Sequence, residues 1–226
     1  MSHLPQFRDR ALLQRALTHR SYANERLSIG EHNERLEFLG DAILNFLSGE
    51  FLYKRYPTKP EGELTPLRSA LVDEKQLAQF ATMFNLGDLM QLGRGAEQEG
   101  GRRNPNLLSS TFEAVVGAYF LDTDSDIQAV RAFVEPLFEA MVDALIVAIA
   151  EVNFKSRFQE WALATYGENP KYLIVSQSGP DHAREFVAEV WVNHQKFGEG
   201  KGRRKQDAEK RAAEDALTRI KGGSEV

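Results

Sequence analysis

Asn33-Glu34-Arg35-Leu36-Glu37-Phe38-Leu39-Gly40-Asp41-Ala42-Ile43-Leu44 is the stretch on which the reading of this chain turns. Leu36, Leu39, Ile43, Leu44 and, one turn on, Leu47 recur at helical spacing. That pattern predicts an amphipathic helix from about Asn33 to Tyr56, stopped by Pro57. Glu34, Glu37 and Asp41 fall at i, i+3 and i+7 and share one face of it. Like charges stacked in this way repel by roughly a few tenths of a kcal/mol per pair. A divalent cation relieves that repulsion, because Mg²⁺ takes oxygen ligands and keeps several waters. A solvated acidic face tolerates it too, and spacing alone leaves both readings open.

Working outward, the first 150 residues read as helices with short breaks. Asp9–Thr18 is amphipathic, with Leu12, Leu13, Ala16 and Leu17 on one side. Tyr56–Gly62 is a loop by its Pro and Gly content, and helices are expected at about Leu64–Leu86, Leu107–Leu121 and Asp124–Ile149. Gly93–Pro105, rich in Gly and Arg, reads as an exposed loop. No β-alternation appears before residue 150. The texture changes near Asn153. A helix over Lys155–Tyr166 precedes strands at Tyr172–Ser176 and Glu185–Trp191, and Val192–Gly198 is a third short strand across an Asn193-His194 turn. A last helix covers about Arg204–Ile220. The expectation is therefore an all-α N-terminal domain over 1–150, followed by a small α+β domain (α-β-β-β-α) over 153–222.

Composition narrows the chemistry. Among 226 residues there is no cysteine, which removes disulfide scaffolds, thiolate-bound zinc, iron–sulfur clusters and thiol nucleophiles. A metal would have to sit on oxygen or imidazole. Residues 1–151 carry 15 basic and 22 acidic side chains, and residues 152–226 carry 13 and 11. A chain of net charge −5 reaches a polyanion only through a local basic patch, and Lys201, Arg203, Arg204 and Lys205 form one. The nearly apolar stretch Ala140–Ala150 is interrupted by Asp143 and is far short of the ~20 residues a spanning helix needs. Neither a membrane span nor a signal peptide is expected, and the default location is cytoplasmic.

Several segments together resemble the ribonuclease III family. They are the quoted stretch, Ala16-Leu17-Thr18-His19-Arg20-Ser21-Tyr22 before it, and Glu61-Gly62-Glu63-Leu64 and Thr111-Phe112-Glu113-Ala114 after it. The resemblance implies a helical endonuclease domain in which Glu37, Asp41 and Glu113 hold Mg²⁺ and activate water. Asp41 and Glu113 are the implied catalytic residues, and Glu34 and Glu61 line the cleavage valley. The family pattern has an Asp three residues before the second-helix Glu, where this chain has Ser110. Ser110 then joins the metal set as a neutral, weaker ligand, with Mn²⁺ an expected substitute for Mg²⁺. The resemblance further implies a symmetric homodimer with Phe38 at its interface; an ordinary core phenylalanine is the other reading of Phe38. No small-molecule cofactor beyond the metal is expected. His19, a lone histidine, reads as a structural hydrogen-bonding residue rather than a base.

The C-terminal segment resembles a double-stranded RNA-binding domain. The resemblance rests on Gln159-Glu160, on Gly179-Pro180-Asp181-His182, and on Gly198-Glu199-Gly200-Lys201-Gly202-Arg203-Arg204-Lys205 leading into the last helix. A helix N-terminus flanked by Lys and Arg is a phosphate site. Gln159 and His182 are expected at the shallow minor groove, Glu160 is among the RNA-binding residues the resemblance implies, and Lys201, Arg203, Arg204 and Lys205 lie on the backbone; such domains read A-form shape. The whole implies a double-strand-specific endoribonuclease. Its products carry 5′-phosphate and 3′-hydroxyl ends, and its substrates are ribosomal RNA precursors and structured messenger RNAs, with transfer RNA processing alongside. The alternative is a catalytically weak or inactive double-stranded RNA-binding protein on the same scaffold, favoured by Ser110.

Overall fold

The computed structural model describes residues 3–26, 30–180 and 184–222. The chain divides into two compact units between Leu145 and Ile146.

In the first unit the helices are α1 (Arg10–Ala16), α2 (Arg20–Glu25), α3 (Glu34–Arg55), α4 (Glu61–Leu71), α5 (Glu74–Met83), α6 (Leu86–Leu89), α7 (Arg94–Gln98) and α8 (Pro105–Asp122). The first part of α9 (Ile127–Tyr166) completes it. The expected helix over Leu64–Leu86 is in fact α4 and α5. Asp73 divides them, because its carboxylate accepts the Gln76 N–H at 2.7 Å and so caps a new helix. The expected loop Gly93–Pro105 contains α7 and a 3-10 turn, Gly101–Arg103. Arg102 organises that region. Its guanidinium donates to the carbonyls of Gly87, Asp88 and Met90 and pairs with Glu97. Helix α2 was not foreseen; it is six residues long and starts at His19, whose Nδ1 accepts the Ser21 N–H.

The core of this unit is aromatic. Phe80, Phe112 and Phe138 are fully buried; tilted ring contacts join Phe51 and Phe133 to them, and Phe84 stacks on Phe112. Burying each such ring is worth about 1.5–3 kcal/mol. Helix α8 runs through the middle, which is why Ala114, Val115, Val116 and Ala118 on it are all inaccessible.

The second unit consists of the rest of α9, the strands β1 (Lys171–Ser178), β2 (Glu185–Val192) and β3 (Gln195–Gly202) in one antiparallel sheet ordered β1-β2-β3, and α10 (Lys205–Gly222). The two helices expected at Asp124–Ile149 and Lys155–Tyr166 are the single element α9; no Gly or Pro stands between them to end a helix. Asn193 and His194 both have positive φ, as a two-residue hairpin of this type requires. Residues 198–202, expected before the last helix as a junction, belong to β3. Gly198, Gly200 and Gly202 point inward at every second position, and a Cβ there would lie 2.3–2.6 Å from backbone atoms of Ala212 and Ala208. Glycine on the strand and alanine on the helix thus let α10 lie directly on the sheet. The core is closed by Phe158, Ala162, Phe186, Ala188 and Val190.

Candidate active site and RNA-binding surface

Two glycines bring the acidic residues together. A Cβ on Gly40 of α3 would stand 1.8 Å from the Glu113 carbonyl oxygen, and one on Gly117 of α8 would stand 2.2 Å from the Leu36 carbonyl oxygen. The two helices therefore cross backbone to backbone at the point where Glu37 and Asp41 flank Gly40 and where Glu113 sits one turn before Gly117. Asp41 is exposed, Glu37 and Glu113 are half-buried. Burial, and then the charges of Asp41 and Glu37, push the Glu113 pKa up to about 8. Asn45, one turn beyond Asp41, donates its amide to the Asp41 carboxylate at 2.8 Å and orients it.

The other predicted acids have partners of their own. Glu34 is exposed and turned to Arg20 at 3.3 Å, with His32 3.8 Å away. Glu61, in the first turn of α4, accepts the Thr65 hydroxyl at 2.6 Å. Neither is among the charges that act on Glu113. Ser110 lies on the Glu113 face of α8, one turn earlier. Its neighbours spend their hydroxyls on the helix itself, Ser109 on the Asn106 carbonyl and Thr111 on the Leu107 carbonyl. Among the described residues Ser110 makes no such bond.

Among the described residues no three Asp, Glu or His side chains converge closely enough to cage a metal ion. The donors nonetheless suit a hard divalent cation: they are all oxygen, and a half-buried carboxyl beside two others is what a bound cation relieves. His19 behaves as a structural residue. It caps α2, and burial first, then Arg20, lowers its pKa, which keeps the accepting Nδ1 unprotonated. Phe38 is 79% exposed, which excludes the core reading.

In the second unit Lys201 is the last residue but one of β3, Arg203 and Arg204 form the bend, and Lys205 opens α10; all four are exposed. The Arg204 carbonyl accepts the N–H groups of Asp207 and Ala208, which fixes the start of α10 behind these cations. Gln159 and Glu160 are exposed on α9, with the Gln159 amide donating to Asn169 at 3.0 Å. His182 lies outside the described residues.

Residues 9–149 match the family described as Ribonuclease-III-like, and residues 154–220 match the Double-stranded RNA binding motif. The chain belongs to the ribonuclease III family. It is 58% identical over 221 residues to Ribonuclease 3 1 of Nostoc sp., covering 97% of each chain, and 45% identical to Ribonuclease 3 of Roseiflexus sp., covering 97% and 93%. Among solved structures it is similar to the nuclease domain of ribonuclease III from Campylobacter jejuni, which is described in connection with dimer formation. That likeness has 38% identity and a TM-score of 0.55, over 60% of this chain and 90% of that one. It is also similar to Dicer from Pichia stipitis, at 28% identity and a TM-score of 0.52 over 96% and 97%.

The protein is thus an endoribonuclease, a hydrolase with a helical nuclease domain and a double-stranded RNA-binding domain, in a family that works with divalent metal ions. No helix among the described residues is long and apolar enough to cross a membrane. Two residues at the helix crossing, and one on α4, escaped the sequence reading. Asn45 was legible as the i+4 neighbour of Asp41, and Gly117 as the i+4 neighbour of Glu113. Arg68, whose stem packs over Gly49 of α3 with its Cδ 3.7 Å from where a Cβ would be, had no local signal at all.

Proposed function

We propose that the enzyme is a homodimer that hydrolyses double-stranded RNA with Mg²⁺, or Mn²⁺ in its place, using one site per subunit built from Glu37, Asp41, Ser110 and Glu113. The observation that carries this reading is the half-buried Glu113 set beside Asp41 and Glu37 at the Gly40–Gly117 crossing, in a chain that ends in an RNA-binding module. When bound, a divalent ion supplies positive charge at the scissile phosphate and acidifies water. Asp41, oriented by Asn45, and Glu113 hold that charge in place. Glu37 holds a further position, and the Ser110 hydroxyl reaches the site directly or through a water. A water oxygen forms the new bond to phosphorus and the bond to the 3′ oxygen breaks. The 3′ oxygen takes a proton, leaving 3′-hydroxyl and 5′-phosphate ends. Glu34 and Glu61 line the valley that admits the duplex.

Lys201, Arg203, Arg204 and Lys205 take phosphates, Gln159 and His182 reach the minor groove, and Glu160 belongs to the same RNA-binding surface. The domains run over 1–150 and 153–222, and the cellular task is processing of ribosomal, messenger and transfer RNA precursors in the cytoplasm. The dimer surface is α3. Phe38, Phe46 and Tyr53 are 79%, 57% and 74% exposed along one face of it, and large apolar groups in such a row mark an interface. A two-fold dimer suits a duplex, whose antiparallel strands present equivalent phosphates to equivalent sites.

The test is cleavage of a long radiolabelled RNA duplex with Mg²⁺, Mn²⁺ or EDTA by wild type, Ser110→Asp and Glu113→Ala. Metal-dependent cutting by wild type that is abolished in Glu113→Ala supports the reading. Cutting only by Ser110→Asp would make this an RNA-binding protein whose nuclease site has lapsed.

A further inference from the structure

We infer that Arg68 belongs to the cleavage site of the partner subunit and not to that of its own. The inference rests on the homodimer proposed above. The outward face of α3 is a stripe of exposed Phe38, Ala42, Phe46 and Tyr53 with half-buried Gly49 among them, at spacings of four, four, three and four residues. The middle of this stripe lies between Asn45 and Phe46. A two-fold axis through that midpoint lays two copies of α3 antiparallel. Phe38 then comes level with the partner's Tyr53, and Ala42 with the partner's Gly49.

Arg68 is tied to this register. On α4 it is exposed, has no ion pair among the described residues, and rests its aliphatic stem on Gly49 of its own α3. Gly49 opposes Ala42 of the other subunit, the residue next to Asp41. Along the helix axis Asp41 and the partner's Gly49 are level to within one residue rise, ~1.5 Å. They are also on the same side of the pair. Asp41 and Asn45 lie on the flank of α3 that, one turn past Asn45, reaches Gly49, on which Arg68 of α4 rests. A two-fold axis perpendicular to the helix pair preserves that flank, so each Arg68 points along the seam toward the other subunit's Asp41–Asn45 pair. A guanidinium suits either the carboxylate or an RNA phosphate held there, since both accept its planar fork. An otherwise acidic site thereby gains one fixed cation, from the opposite chain.

Intersubunit complementation tests this. Full-length Asp41→Asn and Arg68→Ala chains bearing different affinity tags are co-expressed, and the heterodimer is purified through both tags. Sedimentation reports the oligomeric state, and a labelled RNA duplex reports cleavage on each strand. With Arg68 acting across the seam, the Arg68→Ala homodimer cuts about tenfold more slowly or worse, Arg68→Lys recovers part of the rate, and the Asp41→Asn homodimer does not cut. The heterodimer holds one complete site, so it nicks one strand at about half the wild-type rate per dimer. With Arg68 acting within its own chain, no site in the heterodimer is complete, and failure to nick overturns the inference. An Arg68→Ala homodimer as fast as wild type overturns it as well. A wild type that cuts as a monomer removes the dimer itself, and a wild type that does not cut removes the nuclease reading; these failures are separate from those of Arg68.

Discussion

A carboxyl half-buried between two others keeps its proton to higher pH than one in water, and Glu113, at about 8 against an ordinary 4.5, is in that position. Its folded-state value is raised, so the proton it binds favours the folded protein. That contribution is fully present below about 4.5 and is lost as pH climbs toward 8. The metal-free protein therefore melts progressively lower between these limits, and Glu113→Gln flattens the dependence. With Glu113 in the proposed metal set, uptake of a divalent ion expels the same proton, so metal affinity is expected to rise with pH over this window. Calorimetry in two buffers of different ionisation enthalpy reads the released proton directly, and a buffer-independent heat would show that Glu113 does not receive the ion. Asp41 sits in a different environment, exposed and held by Asn45. Asp41→Asn should abolish cleavage, by about a hundredfold or more, and leave duplex RNA binding intact in a gel-shift titration. Equal loss of both would show that binding and cutting are not separately housed.

At the scale of elements, the site is a helix crossing, and the crossing depends on two missing side chains. Gly117→Ala puts a methyl group 2.2 Å from the Leu36 carbonyl oxygen, and α3 and α8 can accommodate it only by moving apart. Overpacking of this kind costs ~1–3 kcal/mol and separates Glu113 from Asp41 and Glu37. Urea denaturation should show lowered stability, and a Mn²⁺ titration should show weakened binding; normal results in both would mean that the crossing does not set the site. This also explains what could be read from the chain in advance. Glu37 and Asp41 announce themselves through spacing on one helix, but Glu113 is more than seventy residues away, and only family resemblance joined it to them. The split between α4 and α5 hid behind Asp73, a residue that reads equally as a helix-surface acid or as a cap. The Gly198-Gly200-Gly202 strand was hidden because glycine has poor strand propensity, and only the alanine face of α10 makes it necessary. Arg68 was beyond reach, since its meaning lies in a neighbouring helix and, by the inference above, in another molecule.

At the scale of the whole molecule, charge is divided between the tasks. The nuclease part, residues 1–151, has seven more acidic than basic side chains, so its own field opposes the approach of a polyanion whatever its acidic cluster does with metal. Binding must then come from a local concentration of cations, and the proposed phosphate contacts Lys201, Arg203, Arg204 and Lys205 stand exposed within five residues where β3 gives way to α10. Each phosphate contact releases a counterion, so removing one such lysine should lower the salt dependence of binding as well as its strength. Lys205→Ala is expected to weaken duplex affinity at every sequence alike and to reduce the slope of log K against log salt by about 1. Because Lys205 is remote in function from Glu113, the same variant should cut at the wild-type rate once duplex is saturating, its defect appearing only in the concentration needed. Measuring cleavage against RNA concentration at several salt levels separates the two effects. A fall in the saturated rate would mean that the cations of the second unit also place the scissile phosphate at the acidic site, and that the division of labour drawn from the charge distribution is wrong.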